Sequence, residues 1–218
     1  NLIIQLSGGM LLFYFTDVAG DQLLFGVWQG FGGLTQMAAL FLLPSVAKRI
    51  SRPQVYGIAS LLPILGLSVL FLASLGEVSV PLVAAGSILF NLGVGAFLGI
   101  SIVMLAYVVD YGEYKFGTRN ESIVFSVQPM LVKFAAALAG GFVGFGLAIV
   151  GFDPDVEVQS QGTKNGITFL TIGLPILASI LGYVIYRMKF KLNGAFHDDV
   201  LRSLAAEREV PTAGGYPL

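Results

Sequence analysis

The sequence predicts an all-α integral membrane protein of six transmembrane helices, and three observations carry that expectation. Hydrophobic residues make up 56% of the 218-residue chain against 11% charged, with a mean hydropathy of +0.83, well above what a soluble domain needs to fill its core. The apolar residues gather into six runs near the roughly 20 residues that cross about 30 Å of hydrocarbon. Basic residues concentrate in alternate breaks between those runs. A transmembrane barrel would instead be written as short alternating segments, and the sequence has none.

The six runs cover residues 2–18, 23–46, 55–75, 81–109, 122–151 and 166–190, so residues 1–190 form the predicted bundle and 191–218 a polar tail. Lys48, Arg49 and Arg52 lie in the second break and Lys115 and Arg119 in the fourth. Arg187, Lys189, Lys191, Arg202 and Arg208 follow at or beyond the last run. The opposite breaks hold Lys164 beside Asp153, Asp155 and Glu157. Lys and Arg favour the cytoplasmic side of short loops, so both ends of this segment are expected in the cytoplasm, with the bundle in the cell (inner) membrane. The chain opens at Asn1, without methionine and already inside an apolar run, which reads as an internal piece whose first helix is truncated. The tail carries Gly194, Pro211, Gly214, Gly215 and Pro217, leaving room for one short amphipathic turn around residues 199–207.

Several function classes are excluded at this level. A net charge of −1 gives no basic face for nucleic acid, and with no cysteine there is neither a disulfide nor a thiolate metal site. The single histidine, His197, lies in the tail, and no nucleophile–base or metal-ligand spacing occurs in the spans, which argues against an enzyme and a cofactor.

Small residues recur four apart, the spacing that lets helix backbones approach in lipid. Ala136, Gly140, Gly144 and Ala148 form one row, Asn91, Gly95 and Gly99 another, and Gly26 and Gly30 a shorter one. Pro44, Pro63, Pro129 and Pro175 each remove a backbone donor in or near a span. Trp28 falls where an interfacial aromatic anchor is expected, and Gln29, Gln36 and Asn91 read as interhelical hydrogen-bonding groups.

Lys133 is the residue a structural account explains least. It lies about 16 Å along the fifth helix from Ser122 at 1.5 Å per residue, close to mid-membrane, where a cation costs about 3 kcal/mol on insertion scales. It should therefore face a protein or water-filled interior. Ser122, Ser126 and Pro129 precede it at helical spacing, giving a polar stripe that leads from the cytoplasmic end to the ammonium, as a solute path would. The alternative is a lysine paired with a carboxylate to fix helix packing. No acid in the spans is well placed for it, since Asp17 lies near the far end of the first span and Asp110 at the cytoplasmic edge, so the partner is expected outside this chain.

The stretch from Asp110 to Lys133, read as a loop and the helix after it, also carries a family likeness. Its runs VDYGEYK, RNESI, FSVQ and VK, with GFDPDVEVQS before the last span, resemble those of the glycoside-pentoside-hexuronide:cation symporters, the melibiose permease-like branch of the major facilitator superfamily. Weaker similarity runs from FYFTDVAGDQLLF to YRMKFKLNG. The resemblance implies the C-terminal six-helix half of a twelve-helix carrier, whose partner is an N-terminal half. Such a carrier moves a sugar-like solute coupled to sodium or a proton, by rocking the halves about a midplane site. It further implies that Gln128, Pro129, Val132 and Lys133 line the sugar site, while most of the cation site belongs to the other half. Asp110, Glu113 and Arg119 match a charged cluster that helps close the cytoplasmic side, the alternative being a solvated loop. Pro129 stands where the melibiose permease has threonine, Leu98 where it has a cavity tryptophan, and Tyr107 where it has a further acid. These departures leave open a non-sugar solute, and a sensor or regulator that keeps the carrier fold without transport is a further alternative.

Overall fold

A computed structural model describes residues 2–76, 78–189, 200, 202 and 203. The elements are α1 (Leu2–Phe13), α2 (Leu23–Ala47), α3 (Arg52–Ser74), α4 (Val80–Phe116), α5 (Glu121–Ile149), α6 (Gln161–Thr168) and α7 (Leu174–Lys189). A π-helical turn, Tyr14–Val18, extends α1, and another, Phe169–Gly173, joins α6 to α7. Five helices have the length and hydropathy to cross a membrane, namely α2 to α5 and the continuous α6–α7 segment Gln161–Met188. The first, Ile3–Val18, is apolar but shorter. Of the tail and its amphipathic turn, only residues 200, 202 and 203 are described, as helical, and the rest lies outside the described residues.

Local chemistry explains where these helices begin and end. Ser51 starts α3 in extended conformation, its backbone N–H donating to Gln54 Oε1 at 2.9 Å, with Pro53 in the first turn where a missing N–H costs nothing. Ser160 does the same for α6, its hydroxyl accepting from the Thr163 N–H at 3.1 Å. Gly117, at φ +66°, closes α4, and its N–H donates to the Glu113 carbonyl at 2.8 Å. In the sixth span the π turn sits just ahead of Pro175. It widens the backbone where the proline ring would otherwise press on the carbonyl four residues back.

Two boundaries depart from the sequence reading. The fourth helix runs seven residues past Val109 to Phe116, so Asp110 and Glu113 are helical rather than loop residues. At 37 residues α4 is about 55 Å long, more than the hydrocarbon requires. A helix whose last turns reach water can carry charge without ending, which is why an apolar run under-measures it. The sixth helix likewise begins at Gln161, in the polar stretch before the apolar run.

Helix α4 packs between α2 and α3, while α1 packs on α5 and on the sixth span, and α3 meets α7. Exchanging the first span with the fourth, the second with the fifth and the third with the sixth maps each of these pairs onto another or onto itself. The bundle thus carries the pattern of a three-helix repeat. Lipid offers no hydrophobic gain for bringing helices together, so close fit has to hold them. Gly66 permits it between α3 and α4, for a Cβ there would lie 2.6 Å from both the Gly86 carbonyl oxygen and the Phe90 nitrogen. Gly93 meets Pro63, so that proline fills an interface.

The row Asn91, Gly95, Gly99 packs as its spacing predicts. A Cβ on Gly95 would lie 2.7 Å from Ala39 Cβ, Gly99 meets Leu43, and Asn91 fills the space left by Gly32. The interhelical hydrogen bond at this interface comes from Ser87, whose hydroxyl donates to the Trp28 carbonyl at 2.6 Å. Asn91 instead bonds within its own helix, its amide donating to the Ser87 carbonyl at 3.0 Å.

Trp28 is not an interfacial anchor. It is 2% exposed, with its ring 5.6 Å from Phe90 and 6.2 Å from Phe15 in the apolar core that also holds Tyr14, Leu67 and Leu70. Packed against the first and fourth spans rather than the lipid surface, the ring is worth more to the bundle as packing volume than as a belt residue.

Candidate functional site

The fifth helix has two unlike faces. Ala135, Ala139, Gly146 and Leu147 are buried, with Gly9 of α1 close enough that a Cβ there would lie 2.9 Å from Val143 Cγ2. Away from that side, at helical spacing, lie Ser122, Ser126, Pro129, Lys133, Ala136, Gly140 and Gly144, all exposed. The polar stripe and the small-residue row are therefore one continuous face. A Cβ added to Gly140 or Gly144 would find no atom within 4 Å, so this row, unlike the one on α4, packs against nothing in the described bundle.

Lys133 stands near the middle of the 29-residue helix, and among the described residues it forms no ion pair. Gln128 and Val132 flank the stripe on the side toward the bundle and are half-buried. Pro129, with no N–H, frees a carbonyl one turn before it on the same face as the lysine. Gln128, Pro129, Val132 and Lys133 thus cover a broad arc of the helix over about two turns, Lys133 bringing an ammonium, Gln128 an amide, and Pro129 releasing the Phe125 carbonyl. Those are hydrogen-bonding groups suited to a hydroxylated or anionic solute. Leu98 does not join them, being packed against the apolar core.

Asp110 and Glu113 both lie within ion-pair distance of Arg119. The Arg119 guanidinium donates from Nη1 to Glu113 Oε2 at 2.8 Å and to Asp110 Oδ1 at 3.2 Å, and from Nε to Glu121 Oε2 at 3.3 Å. One planar fork thereby joins the last turns of α4 to the first turn of α5 across the link 117–120. Hydrogen bonds donated to Glu113 and then to Glu121 hold the guanidinium further above its already high ordinary value, so it is charged at any physiological pH. Glu121 was not singled out by the sequence reading. Its signal was an acid two residues beyond Arg119 at the expected start of a helix, where the macrodipole favours negative charge.

The cluster and the Lys133 patch are separate. Both lie along α5, but Lys133 is twelve residues beyond Glu121, about 18 Å at 1.5 Å per residue. One group bridges the helix ends and the other stands mid-span.

A profile of the family described as MFS/sugar transport protein matches residues 2–194. Among individual relatives, the lactose permease of Leuconostoc lactis is 30% identical over 213 residues, 94% of this chain and 32% of that protein. The isoprimeverose transporter of Lactiplantibacillus pentosus is 34% identical over 144 residues, 66% of this chain and 30% of its own length. A putative 2,3-dihydroxypropane-1-sulfonate exporter of Salmonella typhimurium is 26% identical over 198 residues, 90% of this chain and 42% of its length. The chain spans less than half the length of these curated relatives. With a profile match across nearly all of an all-helical, membrane-length bundle, the chain belongs to the MFS/sugar transport protein family.

Proposed function

We propose that the chain is the C-terminal six-helix half of a secondary active transporter that carries a sugar or glycoside together with sodium or a proton across the cell (inner) membrane. In this reading Lys133 and Gln128 contact the solute, Val132 and Pro129 complete the wall, and most of the coupling-ion site lies in the N-terminal half. The cluster of Asp110, Glu113 and Arg119, extended by Glu121, closes the cytoplasmic side. The observation that carries the reading is Lys133 itself, a cation at mid-helix on the face of α5 turned away from its own bundle. An ionisable group at that depth persists where it faces a water-filled path or a polar partner. Small residues continuing along the same face would let a second bundle approach closely enough to enclose that path.

The test is uptake of labelled disaccharides and pentosides into membrane vesicles from cells expressing the full-length gene. Lys133→Ala should abolish accumulation while the protein still reaches the membrane, and unimpaired uptake by that variant removes the role given to the lysine. A sensor with the carrier fold would bind solute saturably and accumulate none.

A second reading, a non-sugar anionic solute, is favoured by one specific observation, the relative described as a sulfonate exporter. A lysine with no carboxylate partner among the described residues suits a sulfonate better than a neutral sugar. Running the same vesicles with a labelled hydroxyalkyl sulfonate separates the two, since Lys133→Arg should keep sulfonate movement and Lys133→Gln should lose it.

A further inference from the structure

A groove of about 590 Å³ runs along the outside of the bundle between α3 and α7, away from the α5 face. Its walls are Gly57, Ile58, Leu61 and Ile64 on one side and Ile180 and Tyr183 on the other, and Ile58, Leu61 and Ile180 are exposed. Gly57 keeps it open, since a Cβ there would already lie 3.6 Å from the Tyr183 hydroxyl. From Gln54 to Ile64 the groove follows α3 for about 15 Å, enough for most of one lipid acyl chain. Tyr183 and Ser60 also line an apolar cavity of about 220 Å³ deeper in the bundle.

One end of this groove is basic. Ile50 and Gln54 form its mouth, and Lys48 and Arg49 stand beside them in the turn between α2 and α3. Arg187 lies one turn beyond Tyr183 along α7, which runs antiparallel to α3, so it reaches the same end. All three cations are exposed and form no ion pair among the described residues, whereas the carboxylates Asp110, Glu113 and Glu121 are engaged by Arg119. An apolar slot open to lipid with three free cations at the headgroup level is complementary to a molecule with an apolar tail and an anionic head.

We infer that this groove is a binding site for an anionic phospholipid, one acyl chain lying along Gly57–Ile64 and Tyr183 and the phosphate held by Lys48, Arg49 and Arg187. The site is remote from Lys133, and none of its readouts involves transport.

The test uses the full-length protein in detergent micelles containing phosphatidylglycerol or phosphatidylcholine, each with the same photoactivatable diazirine in an acyl chain. Phosphatidylglycerol should label peptides 57–64 and 180–183 in preference to phosphatidylcholine. The triple substitution K48Q/R49Q/R187Q should cut that labelling at least about fivefold, toward the phosphatidylcholine level, at roughly 1 kcal/mol or fivefold per cation near a charged headgroup. Gly57→Leu, which fills the slot, should lower labelling by both lipids. The charge variant alters only exposed side chains, so it reads the headgroup contact even if Gly57→Leu misfolds. Equal labelling by the two lipids, labelling confined to other helices, or full labelling of the triple variant would each overturn the site.

Discussion

Single residues in this bundle act mainly through how closely they let backbones approach. Gly66→Ala must push a methyl to within 2.6 Å of backbone atoms of both Gly86 and Phe90, which neither helix can yield without moving. Overpacking of this kind costs about 1–3 kcal/mol, to be seen as a lowered unfolding midpoint of the full-length protein in detergent. Gly112→Ala, in the projecting end of α4 with nothing within 4 Å, should instead stabilise by about 0.5–1 kcal/mol by stiffening the unfolded chain. At Arg119 geometry matters more than charge, because one guanidinium reaches three carboxylates from two nitrogens. Arg119→Lys keeps the charge but loses the fork, so uptake should fall several-fold while the melting temperature moves little, the site being exposed. Residues were legible in the sequence when their chemistry was conspicuous. The Arg119 cluster was expected from the family resemblance of its motifs rather than from spacing, since two of its acids lie in the last turns of α4, whereas Trp28 was misplaced because position within a span says nothing about which side of the helix meets lipid.

At the scale of elements, two small-residue rows with the same spacing behave oppositely. The row on α4 is closed by Gln36, Ala39 and Leu43 of α2, while the row on α5 faces no atom of the described bundle. Spacing announces a close contact without naming the partner, so the sequence reading of a tight bundle holds for the α4 row and not for the α5 row, nor for Gly26 and Gly30, where an added Cβ would also meet nothing within 4 Å. Substitution should separate the cases. Gly140→Leu leaves the packing within these six helices untouched, and any loss of uptake and of thermal stability in the full-length protein then reports a neighbouring bundle seated on that face. Unchanged uptake and an unchanged melting temperature would leave that face to lipid. Gly146→Leu, whose added Cβ alone would come 2.9 Å from Leu170, should disturb the α5 contact with the sixth span whatever covers the other side. The six apolar stretches were readable because hydrocarbon sets their minimum length. The end of α4, the start of α6 and the two π turns were not, since beyond the hydrocarbon hydropathy stops tracking helix, and a widened turn leaves no mark on it.

For the whole molecule, the distribution of charge makes a single testable statement about how the bundle sits in the membrane. Lys48 and Arg49, Arg119, and Arg187 lie at one end of the helices, while Lys164 lies at the other beside Asp153, Asp155 and Glu157. Insertion favours keeping the cation-rich end in the cytoplasm, and the rule counts basic residues in short loops, so the acids opposite add little to it. The chain has no cysteine, which provides a clean background for single-cysteine labelling. Thr118→Cys, in the link between α4 and α5, and Asp155→Cys, in the link between α5 and α6, are both exposed positions well clear of the apolar spans. A membrane-impermeant maleimide should label Asp155→Cys in intact cells and leave Thr118→Cys unlabelled until inverted vesicles are used. The reverse pattern would place the Arg119 cluster outside and end the role proposed for it in closing the cytoplasmic side, while the packing of α4 between α2 and α3 would stand unaltered. Labelling of both positions from one side would require an even number of crossings between them, contrary to the single continuous α5 that joins them.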